Sequence, residues 1–494
     1  MNRSAFIGLL LFTLGIQIGL QVYISRKSKE EVVEQQQALN LEVNFSGDDH
    51  REEVTTVKTS YATMGFTSRG GTLSELTFHR MLNGVGQDFT VLAADQIEER
   101  EQQAFTVAVD GKTPYAYHFK GQEETDDSYL LSYGITSHDA EIHKNFVVYK
   151  DRPQIDMTVT VKPHNPTTVR VMWPSPLLKG LGEDEVINGI VLNNAKSFSK
   201  IAEKKIGGTT YPQPILFGSE DKYFVFALTK DANHFAKRAY YKQDQSRVLS
   251  ILESPTITEE KSWTMTFYFG QKDAQMMSLV DKNLEKVFDY GLFSFLTKPL
   301  LYVLRKINDV VHNYGIAILL VTLLLKILLL PFTWSGARKM KRLQEYQRKM
   351  AYLEQKYKGD KQALEAARME LLQKEGLPLG GCLPLLLQLP FLAALQSGLN
   401  NSFELYRAPF ILWIKDLSIA DPYYILPFLI LVFFLLGGFM SQKGAGARQN
   451  IWMILGAVVF MAFTANLSAG LCLCILGNIA LHTIQTELQK VIEG

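Results

Sequence analysis

The feature that most restricts this chain is where its apolar residues gather. They form one run at residues 5–24 and a series beyond residue 313, at 316–334, 382–399, 423–440, 451–467 and 469–484. About 20 apolar residues, at ~1.5 Å rise each, cross a hydrocarbon core of ~30 Å. Between the first run and the rest lies a long stretch of ordinary polarity, so the chain reads as a membrane protein carrying a large soluble insert.

Charge and cysteine content exclude several function classes. Lysine and arginine total 51 against 50 acidic residues, which gives no bulk attraction to nucleic acid or an acidic polymer. Cys382, Cys472 and Cys474 all sit in apolar runs and form neither a CxxC pair nor a zinc spacing. No metal, cofactor or small-molecule substrate is expected.

The first run follows Arg3 and precedes Arg26, Lys27 and Lys29 with no small-x-small cleavage site, so 1–25 reads as a retained anchor. Residues 26–44, rich in Glu and Gln, suit a linker. The period then becomes two. Segments 54–63, 129–136, 145–149, 155–161 and 263–269 alternate or cluster β-branched and aromatic residues between turn-formers. Trp263, Met265, Phe267 and Phe269 share one strand face, with Thr264, Thr266 and Tyr268 on the other. Residues 45–272 are therefore expected to form an all-β sandwich domain.

Helical spacing takes over at 273–312, where Leu279, Leu284, Val287, Phe288, Leu292 and Phe295 recur among Asp281, Lys282, Glu285 and Lys286. This predicts an amphipathic helix lying in the membrane interface. A span follows at 313–334, a helical hairpin at 335–378, and the remaining spans within 379–490. Asn466, Ser468 and Gly470 divide the last two apolar runs into a tight helical pair. The expected fold is an α-helical membrane bundle, a five-span core plus the N-terminal anchor, with an inserted β-sandwich and a helical hairpin.

Orientation follows from the charges beside the spans. The segment after Trp334 holds Arg338, Lys339, Lys341, Arg342, Arg348 and Lys349, which places it in the cytoplasm by the positive-inside rule. Counting spans then puts both termini in the cytoplasm, the β-domain and 400–422 outside, and 441–450 with Lys443 and Arg448 inside. Met340, Leu343, Gln347, Met350, Leu353 and Tyr357 recur at three- and four-residue steps, and Leu364, Ala367, Leu371 and Leu372 resume the pattern after Gly359-Asp360. That is an antiparallel helical hairpin. Two readings of it stay open: a solvated, self-packed pair, or a basic platform for anionic or nascent partners at Lys341, Arg342, Arg348 and Lys349.

The most informative single residue is Lys326. A lysine inside an apolar span costs about 2.5 to 3.5 kcal/mol on insertion scales, and such residues usually face a bundle interior or a wet cavity. Thr322, four residues earlier, shares its helix face. Snorkelling to the cytoplasmic end near Trp334 would require reaching ~12 Å along the helix, long for one side chain. Gln388, Asn466, Asn478, His482 and Gln485 are further polar residues within the apolar runs. The structural reading for Asn466, His482 and Gln485 is hydrogen bonding between helices.

Two strings carry a resemblance. Gly376-Leu377-Pro378-Leu379-Gly380-Gly381-Cys382-Leu383-Pro384, and Ala408-Pro409-Phe410 with Leu412 to Ser418 and Asp421 to Pro427, resemble the third span and the loop before the fourth in the YidC/Oxa1/Alb3 family of membrane protein insertases. The resemblance covers roughly 275–490. Arg69-Gly70-Gly71 and Tyr223-Phe224 weakly resemble the periplasmic domain of its Gram-negative branch.

The resemblance implies a water-filled groove open to the cytoplasm and lipid, with Lys326 standing where the family has an arginine, and Gln388 at a family position in the third span. Cys474 lies near where many bacterial members carry aromatic residues, so the substrate contact there would lack a phenol. Thr322, Lys326, Gln388, Asn466 and Cys474 are the candidate groove residues. The implied protein is an inner-membrane insertase and chaperone, not an enzyme, with nascent membrane proteins as clients, the Sec translocon beside it, membrane lipids around it, and ribosome contact through the hairpin. Rivals from other classes are a secondary transporter using Lys326, which lacks an acidic partner within the spans, and a membrane-anchored glycan-binding or enzymatic β-domain, which lacks a motif around its scattered histidines.

Overall fold

The computed structural model of the 494-residue chain describes residues 44–46, 52–82, 85–93, 103–177, 187–192, 198–202, 205–206, 209–244, 247–288, 293–357, 359–375, 383–400, 403–441 and 447–493. The expected anchor at 5–24, the linker before residue 44, most of the 376–384 string and Lys443 lie outside the described residues. The chain divides into two compact units, one spanning Ser25–Asp289 and the other including Tyr290–Gly494.

The first unit is built from sheets that are antiparallel except where Asn44–Ser46 pairs in parallel with Lys112–Pro114. Its largest sheet has nine strands, in the order Phe198–Ala202, Asn188–Leu192, Leu216–Glu220, Phe224–Asp231, Lys261–Gln271, Gln154–Pro163, Ala140–Tyr149, Ser128–Thr136 and His118–Glu124. A seven-stranded and a four-stranded sheet complete it. The expected alternation is seen directly: along Lys261–Gln271 the side chains of Trp263, Met265, Phe267 and Phe269 are all buried.

Aromatic residues join the layers. Trp173 of the seven-stranded sheet meets Phe267 edge-on at 5.1 Å and donates its indole N–H to the Phe226 carbonyl at 3.2 Å. Phe66 and Phe78 of the four-stranded sheet pack on Phe146 and Phe224 at 5.2 and 5.1 Å. Segment 54–63 is not one strand: Val54–Lys58 and Ala62–Thr67 form two, joined by a turn in which Thr59 Oγ1 donates to the Ala62 carbonyl.

The expected interfacial helix at 273–312 is divided between the two units. Its first part, α1 (Ala274–Val280) and the 3-10 turn Lys282–Val287, packs on the nine-stranded sheet. Met277, Leu284 and Val287 bury themselves with Ile190, Leu192, Leu216, Val225, Ala227 and Tyr268. Two aspartates cut the helical run. Asp273 caps α1 by accepting from the Gln275 and Met276 amides at 2.7 and 3.1 Å, and Asp281 ends α1 and caps the next turn through the Asn283 amide at 2.7 Å. The β-unit thus runs on past residue 272, and Tyr268, on the strand face opposite Trp263, is buried beneath α1 and the 3-10 turn.

The second unit is helical. Its elements are α2 (Ser294–Val311), α3 (Tyr314–Lys356), α4 (Lys361–Glu375), α5 (Leu383–Asn400), α6 (Ile425–Ser441), α7 (Ala447–Thr464) and α8 (Ala469–Glu493). Among the described residues, Tyr314–Pro331 alone is both long and apolar enough to cross a membrane, while 425–439, 453–464 and 469–485 are shorter apolar stretches. α2 buries Thr297, Leu300, Leu301 and Leu304, and the Thr297 hydroxyl lies 3.1 Å from the Ala394 carbonyl of α5. Gly398 makes that approach possible, since a side chain there would press on Leu301 and Thr297.

Span and hairpin are continuous. α3 runs 43 residues without a break, ~65 Å at 1.5 Å per residue, so its distal half is the first arm of the hairpin. α4 is the second arm. Gly359 takes φ 107° in the turn, Asp360 accepts from the Ala363 amide at 3.0 Å, and Arg368 pairs with Glu354 at 2.7 Å. In α5, Pro384 stands in the first turn, where a missing N–H breaks no helical bond, and Pro390 lies in the interior.

Candidate functional site: a buried lysine between three helices

The loop 403–424 fastens one end of the bundle. Asn313 caps α3 through the Ile316 amide at 3.1 Å and donates its side-chain N–H to the Phe410 carbonyl at 3.0 Å. Phe410 covers Gly315, where no larger residue fits. Asp421 is buried and accepts from Trp413 Nε1 at 3.1 Å and from the Tyr423 and Leu426 amides at 3.1 and 2.7 Å. The Ala469 and Gly470 amides donate to Ile419 and Leu417, tying the start of α8 to the same loop. The string read from 408 to 427 is therefore a rigid closure, held by bonds to α3, α6 and α8.

Lys326 lies twelve residues into α3, ~18 Å from that closed end. It is 7% exposed, and Thr322 is 5% exposed one turn before it. Together with Leu325 and Leu329 they line a cavity against Phe391, Leu392 and Leu395 of α5 and Cys474 and Asn478 of α8. About 20 Å³ is left for water centres, enough for roughly one water, for which ~10–15 Å³ suffices. The Thr322 hydroxyl donates to the Ile318 carbonyl at 2.7 Å and stands 3.5 Å from Cys474 Sγ.

The Lys326 ammonium finds no hydrogen-bond or ion-pair partner among the described residues. A charge buried without a partner is costly, so a lone ammonium in a space with room for water fits a site that receives something polar.

Of the candidate groove residues, the structure brings Lys326, Thr322 and Cys474 together. Asn466 does not join them: it stands exposed in the turn between α7 and α8, because that turn belongs to the fastened end of the bundle. Gln388 is on α5, with its side chain outside the described residues. Lys341, Arg342 and Arg348 are on the distal half of α3, again with side chains outside the described residues, and Lys349 is exposed. Asn478 reaches the cavity, although in sequence it was one polar residue among several. The four-residue step from Cys474 to Asn478 to His482 is the signal that could have found it.

Residues 54–303, half of the chain, match the family described as the YidC periplasmic domain, and 306–492 match the 60Kd inner membrane protein family. The chain belongs to the YidC family. Curated YidC relatives include proteins named "Membrane protein insertase YidC" from Geobacter metallireducens, 36% identical over 296 residues, and Thioalkalivibrio sulfidiphilus, 40% identical over 216 residues. These alignments cover 58% and 44% of this chain, and 55% and 39% of the relatives. The chain thus spans about half the length of the curated relatives it matches. A solved YidC insertase, "with the first transmembrane domain resolved", aligns over 98% of this chain and 99% of its own at 17% identity and a TM-score of 0.40. The periplasmic-domain match thus covers the β-rich first unit and the start of α2, and the inner-membrane match covers the rest of the helical unit.

Proposed function

We propose that this chain is a membrane protein insertase and chaperone, acting without covalent chemistry on nascent membrane proteins. The observation that carries the reading is the buried, partnerless Lys326 in the cavity between α3, α5 and α8. Crossing a bilayer is expensive for a client's polar translocated segment, because its charges and backbone groups lose water. An ammonium with space for water offers that segment an intermediate stop, which shortens the low-dielectric path. The client's apolar helix then leaves sideways into lipid, and its burial drives the step forward.

The finer features belong to the same proposal. The bundle works as a five-span core with an N-terminal anchor, both termini in the cytoplasm, alone or beside the Sec translocon. The hairpin of distal α3 and α4 faces the cytoplasm, where Lys341, Arg342, Arg348 and Lys349 meet ribosome or nascent chain.

The test is insertion of single-span reporters, with short tails of graded charge, into vesicles containing the chain. Lys326→Ala should lower insertion of acid-tailed reporters about tenfold or more, the worth of one interaction with a charged group. Equal insertion by the alanine and unaltered chains across the series removes the groove-charge reading. Topology is checked separately with single cysteines at Lys356 and Glu404 in a cysteine-free background. An impermeant reagent applied from outside should label 404 and not 356.

A further inference from the structure

The packing of α3 on α8 follows a regular register. Gly470 lies against Ile318, Thr322 meets Cys474, and Gly477 lies against Leu319 and Thr322. As residue numbers rise along one helix they rise along the other, so the two run parallel. Each step of four along α3 is matched by a step of four along α8. Gly470 and Gly477 permit the close approach, since a methyl at either would press on Ile318 or Leu319.

The next step of this ladder sets Lys326 beside Asn478, and both line the cavity. One turn further along α8, His482 is exposed. Like the ammonium, the Asn478 carboxamide has no hydrogen-bond partner among the described residues. Two polar groups from different helices thus face one space with their bonding capacity unused. Lys326 is more than nine-tenths buried there, and Asn478 is half-buried.

The two groups do different chemistry. An ammonium is a compact point charge that attracts any anion or carbonyl oxygen with little directional demand. A carboxamide adds a directional N–H donor, and its oxygen accepts. The cavity admits about one water, so one oxygen of a client carboxylate, replacing that water, can accept from both the ammonium and the carboxamide. Charge-assisted bonds of this kind are about twice as strong as neutral ones.

We infer that Asn478 is a specificity-determining residue, which with Lys326 selects clients carrying an aspartate or glutamate side chain in the translocated segment. This rests on the insertase reading and names the client chemistry that the site favours. Asn478 supplies the directional half of the recognition, and Lys326 the charge.

The experiment uses the full 494-residue chain in vesicles of fixed lipid composition, with single-span reporters bearing acidic, neutral or basic tails. Asn478→Leu keeps the branched shape and removes both the donor and the acceptor. It should lower insertion of the acidic reporter about tenfold to a hundredfold, the worth of one hydrogen bond to a charged group, and leave the neutral reporter unchanged. Asn478→Gln should restore part of the loss. Asn478→Asp places a carboxylate against the ammonium and should abolish the preference for acidic tails. If Asn478→Leu matches the unaltered chain while Lys326→Ala loses acidic reporters, the inference is overturned and the insertase reading stands. If Asn478→Leu weakens all reporters equally, the residue serves helix packing and the inference also falls. If neither variant discriminates among tails, both readings fail together.

Discussion

Two buried lysines, one in each unit, show what burial of a charge can mean. In the β-unit, Lys144 is fully buried and its ammonium donates to the carbonyls of Gly70, Gly71 and Phe105 at 2.6, 3.2 and 2.9 Å. The Tyr117 ring stands 4.6 Å from the same nitrogen. Burial lowers its pKa, and three carbonyl dipoles with a ring face use all that the ammonium can offer. Lys326 in the helical unit is nearly as buried, yet none of its three donors finds a partner among the described residues. A saturated charge fixes structure, whereas an unsaturated one in a cavity is available to a ligand.

The strongest way to break this contrast is to remove Lys144. Lys144→Ala leaves three buried carbonyls without a donor and uncouples the Arg69-Gly70-Gly71 turn from the strand Ala140–Tyr149. The β-unit should lose about 3–5 kcal/mol, as for other buried polar networks with one partner removed. Hydrogen exchange along Ala140–Tyr149 and Thr72–Leu82 would read it, and unchanged protection would mean that Lys144 is no keystone. Insertion by the helical unit should be spared wherever the β-unit stays folded.

Exchanging lysine for arginine sharpens the comparison next. Lys326→Arg should retain most insertion activity, because the site needs a positive charge and has room for water. Lys144→Arg should destabilise the β-unit, because a planar fork cannot point at three carbonyls that converge on one atom. The same two assays decide it, and a tolerated arginine at 144 together with a dead one at 326 would invert the assignment.

The β-unit also contains a buried carboxyl that departs from its own rule. Asp221 accepts from the Tyr223 and Phe224 amides through one oxygen, while Oδ2 has no hydrogen-bond partner. Burial pushes its pKa up to about 6, against the pull of those amides and of Lys272. Lys272 itself pairs with Glu220 at 2.9 Å, and burial lowers its pKa. Because the folded pKa of Asp221 lies above its unfolded value of 3.8, its stabilising contribution is fully present below that value and is lost as pH rises through about 6. Asp221→Asn should flatten this dependence, with a gain over the parent of about 3 kcal/mol above pH ~7 and none below pH ~4. Protection factors along Phe224–Asp231 measure it, and a parallel pH dependence in both proteins would refute the assignment to Asp221.

The smallest expected effect lies in the hairpin, where charges beside a membrane act through screened, long-range attraction. Neutralising Lys341, Arg342, Arg348 and Lys349 together should weaken ribosome or nascent-chain association at low salt, and the difference should fade as salt rises through ~0.15 M. Association unaffected at low salt would leave a self-packed pair of helices with no docking role.

Much of this organisation was legible in the sequence because local patterns have local causes. Period-two alternation placed strands at 129–136, 155–161 and 263–269, where Ser128–Thr136, Gln154–Pro163 and Lys261–Gln271 now stand. A lysine in an apolar run marked Lys326, since the cost of burying a charge does not depend on knowing its neighbours. Two strings of ordinary-looking residues carried the family resemblance, and the second proved to be the loop that fastens α3, α6 and α8.

Tertiary structure alone decided what each face meets. A period tells which residues share a face, and it is silent on whether that face meets lipid, a sheet or another helix. So the apolar face of 274–287 looked membrane-bound until it was seen covering Tyr268 and its neighbours on the nine-stranded sheet. Asn466 and Asn478 looked alike as polar breaks in apolar runs. The parallel packing of α3 on α8, set by the small residues Gly470 and Gly477, carried Asn478 to Lys326 and left Asn466 in an outer turn, because register between elements distant in sequence is fixed by packing and not by either sequence alone.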